Sequence, residues 1–224
     1  MMSAISWLAL VVRYLIAAGQ DVPWWLSFLK GRSIKGAVMR VEHGWLTEAR
    51  RVLSPHQDER PQGELPSLLV IHNISLPPGE FGGPYIDQLF TGTLDATAHP
   101  YFASICHLRV SAHCLIRRNG EIVQYVAFDQ RAWHAGVSQF DGRERCNDFS
   151  IGIELEGTDT LPFTTEQYAR LADVTRLLSE TYGITPERIT GHSDIAPGRK
   201  TDPGPAFDWA RYQQLWQTPP EQGE

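Results

Sequence analysis

Between Gly191 and Pro205 the chain reads GHSDIAPGRKTDPGP, with a histidine, two aspartates, a lysine and an arginine set among glycines and prolines. So many breakers predict a loop with no regular element. Binding and catalytic groups concentrate in loops held by a rigid scaffold, although a solvated turn has the same composition. His72 ends a short apolar run, Ser67 to Ile71, where a strand-end side chain can project into a crevice. His192 follows the short strand expected at Ile189-Thr190, and Asp202 comes ten residues later, beyond a proline turn able to fold back. A hydrolytic zinc site takes three protein ligands and keeps a fourth position open. His72, His192 and Asp202 are a candidate set for such a site, while spacing alone leaves each histidine open to being a core or surface residue.

Proton transfer beside a metal calls for a carboxylate. Glu154 lies in SIGIELE, where isoleucines and Leu155 alternate with Gly152, Glu154 and Glu156, and Gly152 leaves room beside it for a ligand. An exposed polar strand face has the same pattern. Lys200, two residues before Asp202, suits an oxyanion partner or a solvated loop lysine. Trp133-His134-Ala135-Gly136 offers an aromatic and a histidine as a pocket wall. Arg109 and Arg145 suit bidentate pairing with substrate carboxylates or surface ion pairs. His113 reads as structural, and His99 and His107 remain open. There is no GxSxG, P-loop or dinucleotide fingerprint, so serine-hydrolase and nucleotide chemistry lack support.

The elements that must position these groups are legible. Ser67–Ile71 is a buried strand; Leu108–Ile116 and Ile122–Phe128 are strands joined at Asn119-Gly120, a strong hairpin signal. Ser150–Glu156 is another strand and Ile189-Thr190 a short last one. A short helix is expected over Tyr85–Phe90 and a closing helix over Phe207–Trp216. The clearest helix runs from Thr165 to Tyr182, with a capping box of Thr164 and Gln167, a stop at Gly183 and an apolar stripe of Tyr168, Leu171, Val174, Leu178 and Tyr182. Together these predict a single mixed α/β domain with a central mixed sheet flanked by helices. The hydrophobic fraction of 42% excludes general disorder, and a net charge of −6 without a basic block argues against a nucleic-acid partner. The three cysteines Cys106, Cys114 and Cys146 lack CxxC spacing and suit a reducing compartment.

Residues 1–38 stand apart. The run ISWLALVVRYLIAA (residues 5–18) is short for a membrane span, carries Arg13 at its middle and lacks a signal cleavage pattern. Lys35-Gly36-Ala37 can be encoded by a purine-rich ribosome-binding sequence just ahead of Met39. We therefore expect Met39 to be the initiator, residues 1–38 to be a leader, residues 39–216 to be the catalytic domain and 217–224 a flexible tail.

The motifs LLVIHNISLPPGEFGGP, VSAHCLIRRNGEIVQYV, RAWHAG, SIGIELEG and GHSDIAPGRKTDPGP, in this order, closely resemble the zinc N-acetylmuramoyl-L-alanine amidases, in particular those that act on 1,6-anhydro-N-acetylmuramyl-L-alanine in Gram-negative peptidoglycan recycling. The resemblance runs from about Met39 to Tyr212, and its members open with a similar Gly-Trp-Leu-x-Glu-Ala-Arg-Arg segment near Met39. It implies the fold shared with phage amidases and peptidoglycan-recognition proteins. It implies one Zn2+ per chain on His72, His192 and Asp202, an acid/base glutamate at Glu154 and a catalytic lysine at Lys200. By the same resemblance Asn73, Arg109 and Arg145 contact the sugar and stem-peptide carboxylates; His134, from its place in the Trp-His-Ala-Gly loop, is a further substrate-binding candidate. The implied reaction is cleavage of the amide between the lactyl group and L-alanine of a small soluble anhydromuropeptide, which in this family also removes the signals for β-lactamase induction.

We expect a cytoplasmic monomer without stable membrane association. Two other readings are weighed: an exported or membrane-tethered amidase acting on polymeric peptidoglycan, and a non-catalytic muropeptide-binding module. The latter usually loses a ligand or a proton-transfer group, and here all five positions are filled.

Overall fold

A computed structural model describes residues 39–218. The leader expected over residues 1–38 lies outside the described residues, as does the tail beyond residue 218. The main sheet has six strands: β1 (Arg50–Arg51), β2 (Leu68–Ile74), β3 (Cys114–Ile116), β4 (Ile122–Gln124), β5 (Ser150–Glu156) and β6 (Ile189–Gly191). They lie in the order β6-β2-β5-β3-β4-β1. Every neighbouring pair is parallel except the β3–β4 hairpin. Gly120 makes that hairpin turn at φ 84°, a conformation open to glycine at little cost. The helices are α1 (Tyr85–Thr91), α2 (Thr165–Tyr182), the single turn α3 (His192–Ile195) and α4 (Trp209–Gln217). Three small antiparallel pairs, residues 41–42 with 45–46, 57–59 with 130–132 and 139–140 with 143–144, lie outside the main sheet.

The hairpin strands are shorter than the alternation over 108–116 and 122–128 predicts. Val110 gives its carbonyl to His56 Nδ1 (3.0 Å), and Ser111 N donates to the Trp133 carbonyl (3.1 Å), so this stretch is drawn away from its hairpin partner. Arg109 therefore stands on an exposed loop.

β2 and β5 run side by side at the centre of the sheet, in register with His72 beside Glu154. Alternation assigns their side chains to two faces. Leu69, Ile71, Ile151, Ile153 and Leu155 pack against Tyr168, Leu171, Val174 and Leu178 of α2. That helix starts at the capping box of Thr164 and Gln167 and stops at Gly183, φ 71°. On the other face Leu68 and Val70 meet Ala135, Phe149 and Ile195, while Leu115 and Val123 belong to a cluster with Leu89, Phe90 and Tyr125. Burying each aliphatic side chain is worth about 1.5–3 kcal/mol. A one-residue slip of β2 or β5 would send those residues to the wrong face and drive His72 or Glu154 into the α2 core. The apolar core thus fixes the register that places His72 and Glu154 together.

Candidate metal centre and active site

Each metal-ligand candidate arrives by a different route. His72 is carried by β2 and is 1% exposed. His192 opens α3 directly after β6. The Thr190 hydroxyl and the Gly191 N–H both donate to Asp194 Oδ2, at 2.9 and 3.0 Å, and this bends the chain into a helical turn. The loop expected to lack regular structure therefore contains one turn of helix, because Asp194 satisfies a donor at its start. Asp202 returns to His192 because Ser193 N donates to the Asp202 carbonyl at 2.9 Å. The Asn73 side-chain amide then bridges the Pro203 carbonyl (3.1 Å) and Asp159 Oδ1 (2.7 Å). Gly204, at φ 80°, lies so close to Asp159 that a Cβ there would sit 2.6 Å from the Asp159 Cβ and closer still to its Cα.

His72 Nδ1, His192 Nδ1 and Asp202 Oδ2 form a triangle with all three sides 3.0 Å. His192 Nε2 lies 3.1 Å from the Ala135 carbonyl, which can only accept, so Nε2 carries the proton and neutral Nδ1 presents a lone pair. Asp202 presents another. A tetrahedral ion with metal–ligand distances of about 2.0–2.1 Å spaces its ligands about 3.3 Å apart. The donor set of two nitrogens and a carboxylate oxygen, and its spacing, fit zinc. Burial pushes the His72 imidazole down to about 4, with His192 and Lys200 adding to the effect and Asp202 opposing it. For Asp202 burial pushes upward, but the two imidazoles outweigh it and hold the carboxyl well below its ordinary range.

Glu154 and Glu156 share a strand face and have different fates. Glu156 Oε1 accepts from Gly82 N (2.7 Å) and Arg117 Nη1 (3.2 Å), and Oε2 accepts from Arg118 N (3.1 Å), so this carboxylate is spent on anchoring loops. Glu154 is 8% exposed, and its buried Oε2 has no hydrogen-bond partner among the described residues. Burial first, then Asp202, raises its pKa well above the ordinary carboxyl value, with Lys200 opposing. An uncommitted buried carboxyl beside a ligand cluster is equipped to exchange a proton. Lys200 is exposed and lines the same cleft.

The cleft, about 470 Å³, is lined by the three ligand candidates together with Asn73, Trp133, His134, Glu154, Asp159 and Lys200, and walled by apolar residues including Ile105, Leu108 and Val110. Arg109 and Arg145 are outside that lining. The Arg109 guanidinium sits over the Trp133 ring at 5.6 Å, and Arg145, at φ 61°, pairs with Asp148 at 3.3 Å beside a neighbouring hollow. The room beside Gly152 is filled by the His134 ring, since a Cβ on Gly152 would lie 2.5 Å from His134 Nδ1. It is not space for a ligand. His113 is structural: its Nδ1 accepts from Gly152 N at 3.0 Å. Sequence reasoning missed Asp159 and Asn147, whose Oδ1 accepts from the His134 and Ala135 N–H groups at 3.1 and 2.8 Å. It also missed Ser150, which shares its strand face with Gly152 and Glu154; period-two alternation would have found that residue, and nothing local points to the others. No helix among the described residues is long and apolar enough to cross a membrane.

The pattern of the N-acetylmuramoyl-L-alanine amidase family matches residues 62–205, spanning all five candidate ligand and catalytic positions. The chain is 72% identical over 177 residues to the 1,6-anhydro-N-acetylmuramyl-L-alanine amidase AmpD of Escherichia coli, covering 79% of this chain and 97% of that protein. It superposes on a crystal structure of a selenomethionine AmpD derivative with a TM-score of 0.78 at 71% identity, covering 79% of this chain and 99% of the other. The E. coli amidase AmiD, solved in complex with its substrate anhydro-N-acetylmuramic acid-L-Ala-D-γ-Glu-L-Lys, aligns with a TM-score of 0.51 at 29% identity, over 80% of this chain and 65% of that one. By its matched pattern, its fold and its near-full-length relatives, this chain belongs to the N-acetylmuramoyl-L-alanine amidases.

Proposed function

We propose that this chain hydrolyses the amide between the lactyl group of 1,6-anhydro-N-acetylmuramic acid and the L-alanine of the stem peptide, with one zinc ion held by His72, His192 and Asp202. The observation that carries the reading is the 3.0 Å triangle of converging donor atoms beside a buried, unpartnered Glu154 carboxyl. The anhydro sugar is supported by the relative named for it, 97% of whose length this chain covers. We assign the reaction to cytoplasmic peptidoglycan recycling, where it would also remove muropeptides that signal β-lactamase induction.

Zinc, when bound, supplies Lewis acidity that promotes water ionisation and polarises a carbonyl. Glu154 takes the proton of the attacking water on its free oxygen and returns it to the leaving alanine nitrogen, acting first as base and then as acid. Its raised pKa suits the second role as well as the first. The Lys200 ammonium, which lines the same cleft, stabilises negative charge developing on the amide oxygen. The apolar wall of Ile105, Leu108 and Val110 lowers the local dielectric and strengthens both effects. Asn73 contributes by tethering the loop that bears Asp202, and its place in the cleft lining suits the sugar contact implied by the resemblance. Arg109 and Arg145, outside that lining, are proposed to meet carboxylates at the far end of the stem peptide.

The test is an assay with anhydromuramyl-tripeptide and intact sacculi in parallel, with and without chelation and zinc re-addition. Zinc-dependent release of free peptide from the soluble substrate, with little from sacculi, is expected. Comparable cleavage of sacculi overturns the recycling assignment. Binding of the muropeptide without cleavage, in zinc-loaded protein, overturns the enzymatic one.

A further inference from the structure

The ring of His134 lines the cleft, yet neither of its nitrogens is free. Nδ1 lies 2.9 Å from His72 Nε2, and Nε2 lies 3.1 Å from the Ser150 hydroxyl. The ring stands edge-on to His72 with centroids 5.0 Å apart, and to His113 at 5.8 Å. Its position is set from three sides: Gly152 leaves no atom where the ring lies, Asn147 holds the backbone at residues 134 and 135, and Ser150 holds the far nitrogen. This is how a side chain is held when its orientation matters.

The proton positions follow from one requirement. If His72 Nδ1 gives its lone pair to a cation shared with His192 and Asp202, a neutral His72 must carry its proton on Nε2. That N–H points at His134 Nδ1, which must then accept, so His134 carries its own proton on Nε2 and donates to Ser150 Oγ. The two histidine ligands are thus served differently. His192 donates to a backbone carbonyl, an acceptor that no substitution of its own side chain removes. His72 depends on a side chain.

We propose that His134 is a positioning residue for the metal site: through the Ser150–His134–His72 chain it holds His72 in the tautomer and ring orientation that ligate. This replaces a substrate contact as its main role, and it rests on the zinc reading of His72, His192 and Asp202. Partners of this kind around metal-binding histidines typically change metal affinity by about 10–100-fold when removed.

Three variants test it, read by zinc affinity in chelator competition, by the visible spectrum of the cobalt-substituted protein, and by kcat and KM separately. His134→Phe keeps a ring but removes the acceptor, and should weaken zinc binding by about 10–100-fold. His134→Asn puts Oδ1 where Nδ1 stood and should restore most of that affinity. Gly152→Ala leaves His134 chemically intact but pushes its ring; it should weaken zinc binding and alter the cobalt spectrum even though alanine suits a strand better than glycine. Zinc affinity in His134→Phe and Gly152→Ala equal to that of the parent, with KM alone raised, would overturn the proposal in favour of a substrate contact. Equal losses in His134→Asn and His134→Phe would overturn the acceptor role. If the parent itself binds no zinc, the metal reading falls, an outcome distinct from both.

Discussion

Glu154→Gln should separate catalysis from stability, with opposite signs. The side chain is 8% exposed, Oε2 has no partner, and burial and Asp202 raise its pKa well above the ordinary 4.5. In the unfolded chain the carboxyl ionises near that ordinary value; in the folded, metal-free protein it stays protonated to higher pH. Between the two values the folded state holds one more proton than the unfolded state, so stability falls as pH rises, by about 1.4 kcal/mol per pH unit. The contribution is fully present below pH 4.5 and is lost as pH climbs through the raised value. Glutamine has the same shape and no such titration. The variant should therefore gain on the parent by about 3–6 °C of Tm per pH unit through that window, for a domain of this size, and match it below pH 4.5. Other titrating groups cancel in the parent-minus-variant difference. Adding zinc should flatten the difference, because a nearby cation favours the carboxylate. Turnover of the zinc-loaded variant should fall by about 10²–10⁴-fold, the usual contribution of a general base. The measurement is a set of melting curves from pH 4 to 8 on chelator-treated parent and variant, alongside kcat. A variant that is less stable than the parent at pH 7, or turns over within about threefold of it, refutes the uncommitted-carboxyl argument.

Asp202→Ala should lose zinc and activity together, checked by metal analysis of the purified protein beside the amidase assay. Lys200→Ala should retain zinc and lose about 10²–10³-fold in kcat, the cost of one oxyanion partner; unchanged kcat would return Lys200 to the solvent. Gly204→Ala adds left-handed strain of about 1–2 kcal/mol and an overlap with Asp159 costing about 1–3 kcal/mol, so Tm should drop by about 4–20 °C, with weaker zinc binding because the loop carrying Asp202 must move. Leu171→Ala, in the α2 core, should cost about 2–5 kcal/mol in denaturant melts and leave zinc stoichiometry at one wherever the protein is folded.

The parts of this molecule that the sequence makes legible are those whose signal is local. α2 runs from Thr165 to Tyr182 as its capping box and apolar stripe predict, and β5 spans Ser150–Glu156 as its alternation predicts. Both are short-range patterns repeated over several residues. The strand ends are less legible: β3 begins late because His56 and Trp133 take up backbone groups of the segment before it, and β4 ends early where Tyr125 and Phe128 bond to Ser54 and Gly44. β1 was invisible, since two exposed arginines carry no alternation; its place beside β4 is set by backbone pairing and by the ion pairs of Arg50 with Asp87 and Glu121. The ligand candidates were legible as residue types, the histidines after expected strands and Asp202 in the loop that follows. Their convergence was not, because it depends on Asp194 bending the chain after β6 and on Asn73 and Asp159 receiving the return of the loop.

Glu154 and Glu156 show why composition and spacing stop short of assigning chemistry. They are two residues apart on one strand and one face, with the same side chain, and nothing in SIGIELE distinguishes them. What distinguishes them is supplied from elsewhere in the chain: Arg117, Gly82 and the Arg118 N–H satisfy one carboxylate, and no group among the described residues satisfies the second oxygen of the other. A satisfied buried carboxylate holds the structure together, whereas an unsatisfied one costs stability until a proton or a cation compensates it. The same contrast holds for the histidines, where His113 is committed to a strand N–H while His72 and His192 turn lone pairs toward a common point. In the carboxylates and the histidines alike, the chemically active groups are those whose lone pairs the rest of the fold leaves turned toward the cleft, on residues whose neighbours are firmly packed.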